Sequence, residues 1–162
     1  MTIGLISDTH GLMRQEALTA LRGSDLIIHA GDVGKPEVLE ELRAVAPVIA
    51  VRGNVDKGAW ASQLPMTAVA EAGSTRIYVL HDLQQLDLDP ALAKFQIVVS
   101  GHSHKPSRTE RSHVMYVNPG SAGPRRFQLP VMVARLDLRN APLRDEPWNV
   151  QFIDLAEESG GA

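Results

Sequence analysis

Short apolar runs recur along the chain, and each closes on a polar turn, most of them containing glycine. The first, Ile3-Gly4-Leu5-Ile6, ends in Ser7-Asp8-Thr9-His10-Gly11 and reads as a buried strand delivering polar side chains to the rim of a sheet. Over residues 12–22 the apolar positions Met13, Ala17, Leu18 and Leu21 recur at helical spacing, and Gly23 stops that helix. Residues 25–30 read as a second buried strand, ending at Gly31-Asp32. Pro36 opens another helix with Val38, Leu39, Leu42 and Val45 as its stripe, Pro47 ends it, and residues 48–51 form a third strand closing on Gly53-Asn54-Val55-Asp56. A strand-helix-strand unit crosses over right-handed and lays its strands parallel. Asp8, Asp32 and Asn54 are therefore expected on one rim.

The pattern changes after Gly58. Residues 67–71 and 76–80 flank a Gly73-Ser74 turn and read as a hairpin whose second strand ends at His81-Asp82. Residues 90–94 read as a helical turn or two, 96–100 as a strand ending in Gly101-His102-Ser103-His104, and 114–117 as another before the loop Asn118-Pro119-Gly120-Ser121-Ala122-Gly123-Pro124. Two antiparallel strands over 131–138 and 148–155, separated by a turn with Asn140 and Pro142, complete the pattern, and residues 157–162 read as a frayed tail. Crossovers in the first half and antiparallel pairs in the second predict an α/β chain. Its two sheets would face one another with helices outside, in one domain over residues 1–156.

Composition narrows the chemistry. A chain of 162 residues, 44% hydrophobic, can bury a full core without staples. There is no cysteine, which removes disulfides, thiolate catalysis and sulfur-ligated zinc and leaves oxygen and nitrogen to hold any metal. No stretch approaches the roughly 20 apolar residues of a membrane span, and no leader pattern precedes Asp8, so a cytoplasmic protein is expected. A net charge of −3 argues against a footprint for long nucleic acid.

Seven residues of ligand type, Asp8, His10, Asp32, Asn54, His81, His102 and His104, sit at strand ends or in the turns that follow, four of the six histidines among them. Side chains two apart share a face in extended backbone, so Asp8 and His10 can aim at one centre. Any one of these residues could equally cap a turn. Together they exceed the needs of one metal and suit two metals sharing a bridging carboxylate. His29, inside an apolar strand, reads as a core or supporting histidine, His113 as a surface residue, and Met13, Trp60 and Met66 as packing residues. Lys105, Arg108, Arg111, Arg125 and Arg126 form either an anion-guiding rim or a solvated loop face.

The ordered series Asp8-x-His10, Gly31-Asp32, Gly53-Asn54-Val55-Asp56, His81 and Gly101-His102-x-His104 resembles the calcineurin-like metallophosphoesterase family, in particular its small bacterial and archaeal phosphodiesterases. The likeness runs from about Ile3 to Arg125 and includes the Asn118-Pro119-Gly120-Ser121 loop with Pro124-Arg125. It implies a sandwich of two mixed β-sheets flanked by α-helices. It also implies that Asp8, His10 and His104 hold one divalent ion, that Asn54, His81 and His102 hold a second, and that Asp32 bridges them. Such ions would lie roughly 3.5–4 Å apart and share a hydroxide that attacks phosphorus. Asp32, Asn54, Asp56 and His102 then form the catalytic group, Asn54 donating to a phosphoryl oxygen and Asp56 either orienting a His or Asn ligand or capping its turn. Mn²⁺ is the first choice by resemblance, with Fe, Zn, Co or Ni also suited to these ligands.

Two departures bear on the substrate. Many phosphomonoesterases of the family carry a proton-donating His where this chain has Val55, so a small phosphodiester with a good leaving group is the expected partner. Asp82 stands where Gly commonly follows the metal-binding His, which could reshape the pocket. A homo-oligomer is compatible with the sequence. The alternative function is a scaffold, because the retromer scaffold subunit shares this family with an impaired site; the complete ligand set here places that reading second. Metal-bound imidazoles must be neutral, so activity is expected to fall below about pH 6.

Overall fold

The computed structural model describes residues 1–138 and 148–156. In chain order the elements are β1 (Thr2–Ile6), α1 (Gln15–Ala20), β2 (Leu26–His29), α2 (Pro36–Arg43), β3 (Val48–Ala50), β4 (Thr67–Ala72) and β5 (Thr75–Leu80). There follow β6 (Ile97–Val99), β7 (Ser107–Arg111), β8 (Val114–Asn118), β9 (Met132–Asp137) and β10 (Asn149–Asp154). Two five-stranded sheets result, ordered β10-β9-β1-β2-β3 and β4-β5-β6-β8-β7.

In the first sheet the crossovers through α1 and α2 lay β1, β2 and β3 parallel, with Ile3 opposite Leu26 and Ile27 opposite Val48. β9 returns antiparallel along the other edge of β1, and β10 pairs with β9. The second sheet is mixed, as the family resemblance implies and as the local pattern, read as antiparallel pairs, does not. β5, β6 and β8 run parallel, and only the outer pairs β4–β5 and β7–β8 are antiparallel. Parallel β5 and β6 place His81 and His102 at the same ends, which an all-antiparallel sheet would separate.

Alternation along each strand divides the core. Ile3 and Leu5 of β1 face Ile77, Val79, Ile97 and Val99 of the other sheet, while Ile6 and Ile27 pack on Ala17, Leu21, Val38 and Leu42 of the helical layer. The outer face of the second sheet is covered by the segment carrying Leu83, Leu86, Leu88 and Phe95, which packs on Tyr78, Leu80 and Val98.

Local differences from the sequence expectations have identifiable causes. α1 is shorter than residues 12–22 because Leu12 is tied back to Thr9 in a turn and Arg14 is still extended. Residues 90–94 make a single turn, as expected, closed by Phe95 N–H on Pro90 O and capped by Asp89. Met66 is 51% exposed and is not a packing residue. The turn with Asn140 and Pro142 and the tail at 157–162 lie outside the described residues. No helix among the described residues is long and apolar enough to cross a membrane.

Leu5 is fully buried between the sheets. Leu5→Ala should lower stability by about 2–5 kcal/mol in urea unfolding, with little change in the dependence on denaturant.

Candidate metal centre

Asp8, His10, Asp32, His102 and His104 have φ values of 56°, 48°, 55°, 71° and 62°. Extended alternation therefore does not bring Asp8 and His10 together; left-handed turns beyond the strand ends do. A non-glycine residue held there costs on the order of 1 kcal/mol, and such positions persist only where surroundings hold them. Here the amides of Asp8, His10 and Gly11 donate to the carbonyls of Gly31, Asp32 and Val33, lacing the loop after β1 to the loop after β2.

Close backbone approach completes the frame. A Cβ on Gly101 would collide with Ser7 Oγ and stand 2.7 Å from Asp8 Oδ2, and one on Gly53 would collide with the Asp32 carboxylate. Asp8 is fully buried; its Oδ2 accepts from Ser7 Oγ at 2.7 Å and from the His102 amide at 3.1 Å. Its Oδ1 is buried without a hydrogen-bond partner and faces the cluster, 3.3 Å from His104 Nε2, 3.8 Å from His10 Nε2 and 3.9 Å from His81 Nε2. Asp32 Oδ2 lies 3.7 Å from His10 Nε2 and 3.2 Å from His81 Nε2, while its Oδ1 accepts from the Val55 amide. Two donor groups thus share Asp8: Asp8, His10 and His104, and Asp8, Asp32 and His81, the atoms of each within 4.8 Å of one another.

His81 Nδ1 donates to Ala30 O at 2.8 Å, which turns the lone pair of Nε2 toward Asp32 Oδ2 and toward Asn54 Oδ1 at 3.0 Å. Lone pairs crowd together at this point, and only a cation between them, a proton or a metal, makes that favourable. His102 is exposed and meets the cluster through Asn54 Oδ1, 3.2 Å from its Nδ1. The donor set fits divalent metal: oxygen and imidazole nitrogen, a buried carboxylate oxygen left over, and an open side at Asn54 and His102.

Electrostatics agree with this geometry. Burial pushes the Asp8 carboxyl up, against the Ser7 hydrogen bond and the attraction of His81 and His104. Burial also pushes on Asp32, but the hydrogen bonds from His81 and the Val55 amide and the histidine charges outweigh it, and its pKa is lowered. His81 is the counterpart: burial opposes its charge, yet the Asp32 hydrogen bond and the Ala30 carbonyl leave its pKa raised. His104 is lowered by burial first, with the charge of Arg126 adding to it.

Of its two expected roles Asp56 takes that of capping backbone, and His29 is the supporting core histidine that the sequence suggests. Asp56 accepts from the amides of Val33, Gly34 and Gly53 at 3.1, 2.8 and 2.8 Å. It orients no His or Asn ligand: both oxygens are used in fastening the loop that carries Asn54 to the loop that carries Asp32. His29 is fully buried beneath the cluster, its Nδ1 accepting from Gly31 N–H at 3.1 Å and its Nε2 3.0 Å from Thr9 Oγ1, which itself donates to Val33 O. Ser7, Thr9, Ser121 and Asn118 were not singled out as site residues in the sequence. Ser121 Oγ donates to Asp8 O, and Asn118 Nδ2 donates to Gly101 O and Ser103 Oγ. Of the basic residues, Arg126 is felt at His104, whereas Arg111 lies over the Tyr116 ring, 5.0 Å from its centroid, and Arg125 donates to Leu129 O.

A two-sheet sandwich with carboxylate and imidazole donors converging beyond its strand ends is an architecture suited to holding divalent metal. Residues 1–141 match the calcineurin-like phosphoesterase superfamily domain, and the chain belongs to that family. It is 35% identical over 150 residues to a probable metallophosphoesterase of Methanothermobacter thermautotrophicus, covering 85% of this chain and 87% of the relative. It is 32% identical over 145 residues to the phosphodiesterase YfcE of Escherichia coli K12, covering 75% and 79%. Among solved structures, Vps29 of Chaetomium thermophilum superposes with a TM-score of 0.74 at 20% identity, covering 94% of this chain and 97% of its own, a likeness of fold.

Burial lowers the pKa of His29 from 6.5 to about 3. Below pH 6.5 the unfolded chain takes up a proton there that the folded protein refuses until about pH 3, so this site removes stability as pH falls through that window. His29→Leu should make the acid loss of metal-free protein shallower in unfolding titrations. It should also weaken any divalent-metal binding at the cluster by about 10–100-fold in calorimetry, because Thr9 and Gly31 lose their partner.

Proposed function

We propose that the protein is a phosphodiesterase that uses two divalent metal ions, Mn²⁺ first among them, to hydrolyse small soluble diesters. The observation that carries this reading is the buried Asp8 Oδ1, without a hydrogen-bond partner and common to two groups of donors. Asp8, His10 and His104 would hold one ion and Asn54, His81 and His102 the other, with Asp32 Oδ2, near both His10 and His81, between them. Divalent ions bound there make water nucleophilic near neutral pH and attract the anionic oxygens of a phosphate ester.

The chain's own groups supply the rest. Asn54 turns Oδ1 toward His81 and His102, which leaves its amide N–H groups to donate to a phosphoryl oxygen. Val55 is exposed beside it and offers no proton, which favours diesters whose leaving group departs without help. Arg126 adds positive charge on the His104 side, where an anionic substrate approaches. The scaffold reading has no observation of its own, since the resemblance to Vps29 is one of fold.

Bis(4-nitrophenyl) phosphate should be turned over with added Mn²⁺ and not with chelator, and 4-nitrophenyl phosphate should be much the poorer substrate. Asp8→Asn should reduce diester turnover by at least about 100-fold, the upper end of losses when only a ligand's support is removed. Metal-independent turnover, or none of either ester, would overturn the reading. His81 has a raised pKa in the metal-free protein, so protons compete with metal once pH falls through that value. Metal occupancy and activity should therefore fall together as pH is lowered from neutrality, the loss setting in above the ordinary imidazole value of 6.5 rather than at the pH of about 6 expected for unshifted histidines.

A further inference from the structure

Beside the donor cluster the surface opens into a cleft of about 320 Å³, with Asn54, His81 and His102 as one wall. A phosphorus held by those residues has this cleft as the adjacent space for whatever is esterified to it. The volume is at the lower end of the range of small-molecule pockets, roughly 300–1,000 Å³, and suits a sugar or a nucleoside rather than a polymer.

The rest of the lining defines the chemistry of the occupant. Asp82 lines the cleft, its Oδ1 fixed by the Gln84 amide at 3.0 Å and its Oδ2 3.9 Å from His102 Nε2. Asp87 adds a second, exposed carboxylate. Two carboxylates oppose a second anionic group on the substrate. An apolar substituent would take water from them and return no donor. Arg52 lines the same cleft, its Nε donating to Met66 Sδ at 3.3 Å, and among the described residues it forms no ion pair; a cationic substituent would meet that charge. Hydroxyl groups answer both signs, donating to the carboxylates and accepting from the guanidinium, while Met66 and Leu80 provide apolar surface for a C–H face.

We propose that this cleft binds one ester substituent of the diester and selects an uncharged, hydroxyl-bearing one, a sugar or nucleoside, with Asp82 as the specificity-determining acceptor. The assignment rests on the phosphodiesterase reading above.

Four 4-nitrophenyl phosphodiesters with the same leaving group test it, differing in the other substituent: uridine through its 5′ oxygen, phenyl, 2-aminoethyl and carboxymethyl. With Mn²⁺, kcat/KM for the uridine ester should exceed that for the phenyl ester by about tenfold or more, with the carboxymethyl ester lowest. Asp82→Ala should bring the uridine-to-phenyl ratio to within about threefold of unity. Asp87→Ala, at the other carboxylate of the lining and not adjacent to His81 in the chain, should lower the same ratio and guards against a general disturbance of His81. Each enzyme's phenyl ester is its own reference, so the ratio is independent of the amount of folded protein. Metal-dependent turnover of all four esters with a ratio near one in the unsubstituted enzyme, or a preference for the aminoethyl ester, overturns the cleft assignment and leaves the phosphodiesterase reading standing. Ratios unmoved in both variants overturn the roles of the carboxylates. No metal-dependent turnover of any ester overturns both readings.

Discussion

The Asp8 carboxylate is the constraint around which the chain is arranged. It is buried, one oxygen is held by a neighbouring hydroxyl and an amide from ninety-four residues away, and the other is given no hydrogen-bond donor at all. Leaving a buried carboxylate in that state is unfavourable unless positive charge comes to it. The surrounding features serve that outcome: His81 is turned by the Ala30 carbonyl to present Nε2, Asp32 stands alongside, and Gly101 is bare because a Cβ would displace Ser7. Strands supply the direction and left-handed turns supply the convergence.

Much of this was legible in the sequence, and the reasons differ by element. β1, β2, β3, β5 and β6 are short apolar runs ending in polar turns, a pattern with few alternatives. β7 was invisible because all five of its residues are exposed and carry no alternation. Its hairpin to β8 turns through Ser112 and His113, both left-handed at φ 50° and 63°, where Asn or Gly would have announced such a turn. The parallel course of β5, β6 and β8 was hidden for a different reason: the stretches between them, residues 81–96 and 100–113, are long enough for crossovers but carry no full helix to announce one.

The donor residues were legible as a set, but the geometry uniting them was not. Alternation in an extended strand was the natural account of Asp8-x-His10, and positive φ values replace it. Asp, Asn and His are the non-glycine types that tolerate this region best, so the residues suited to bind metal are also suited to the turns that aim them. Asp56 shows the reverse ambiguity. A carboxylate two residues after Asn54 looks like chemistry, yet three backbone amides consume it, and only coordinates separate the two roles.

The pairing of β1 with β9 has a consequence for biogenesis. Its register joins residues 2–5 to residues 134–137, and the hydroxyl of Ser121 reaches the carbonyl of Asp8. Such remote closure is entropically slow and comes late. While the ribosome is still making the second half of the chain, the N-terminal strand has only β2 beside it, and Asp8 lacks both His104 and the amide of His102. The donor cluster is thereby left incomplete until the residues through His104 have been made and the second sheet has closed on the first.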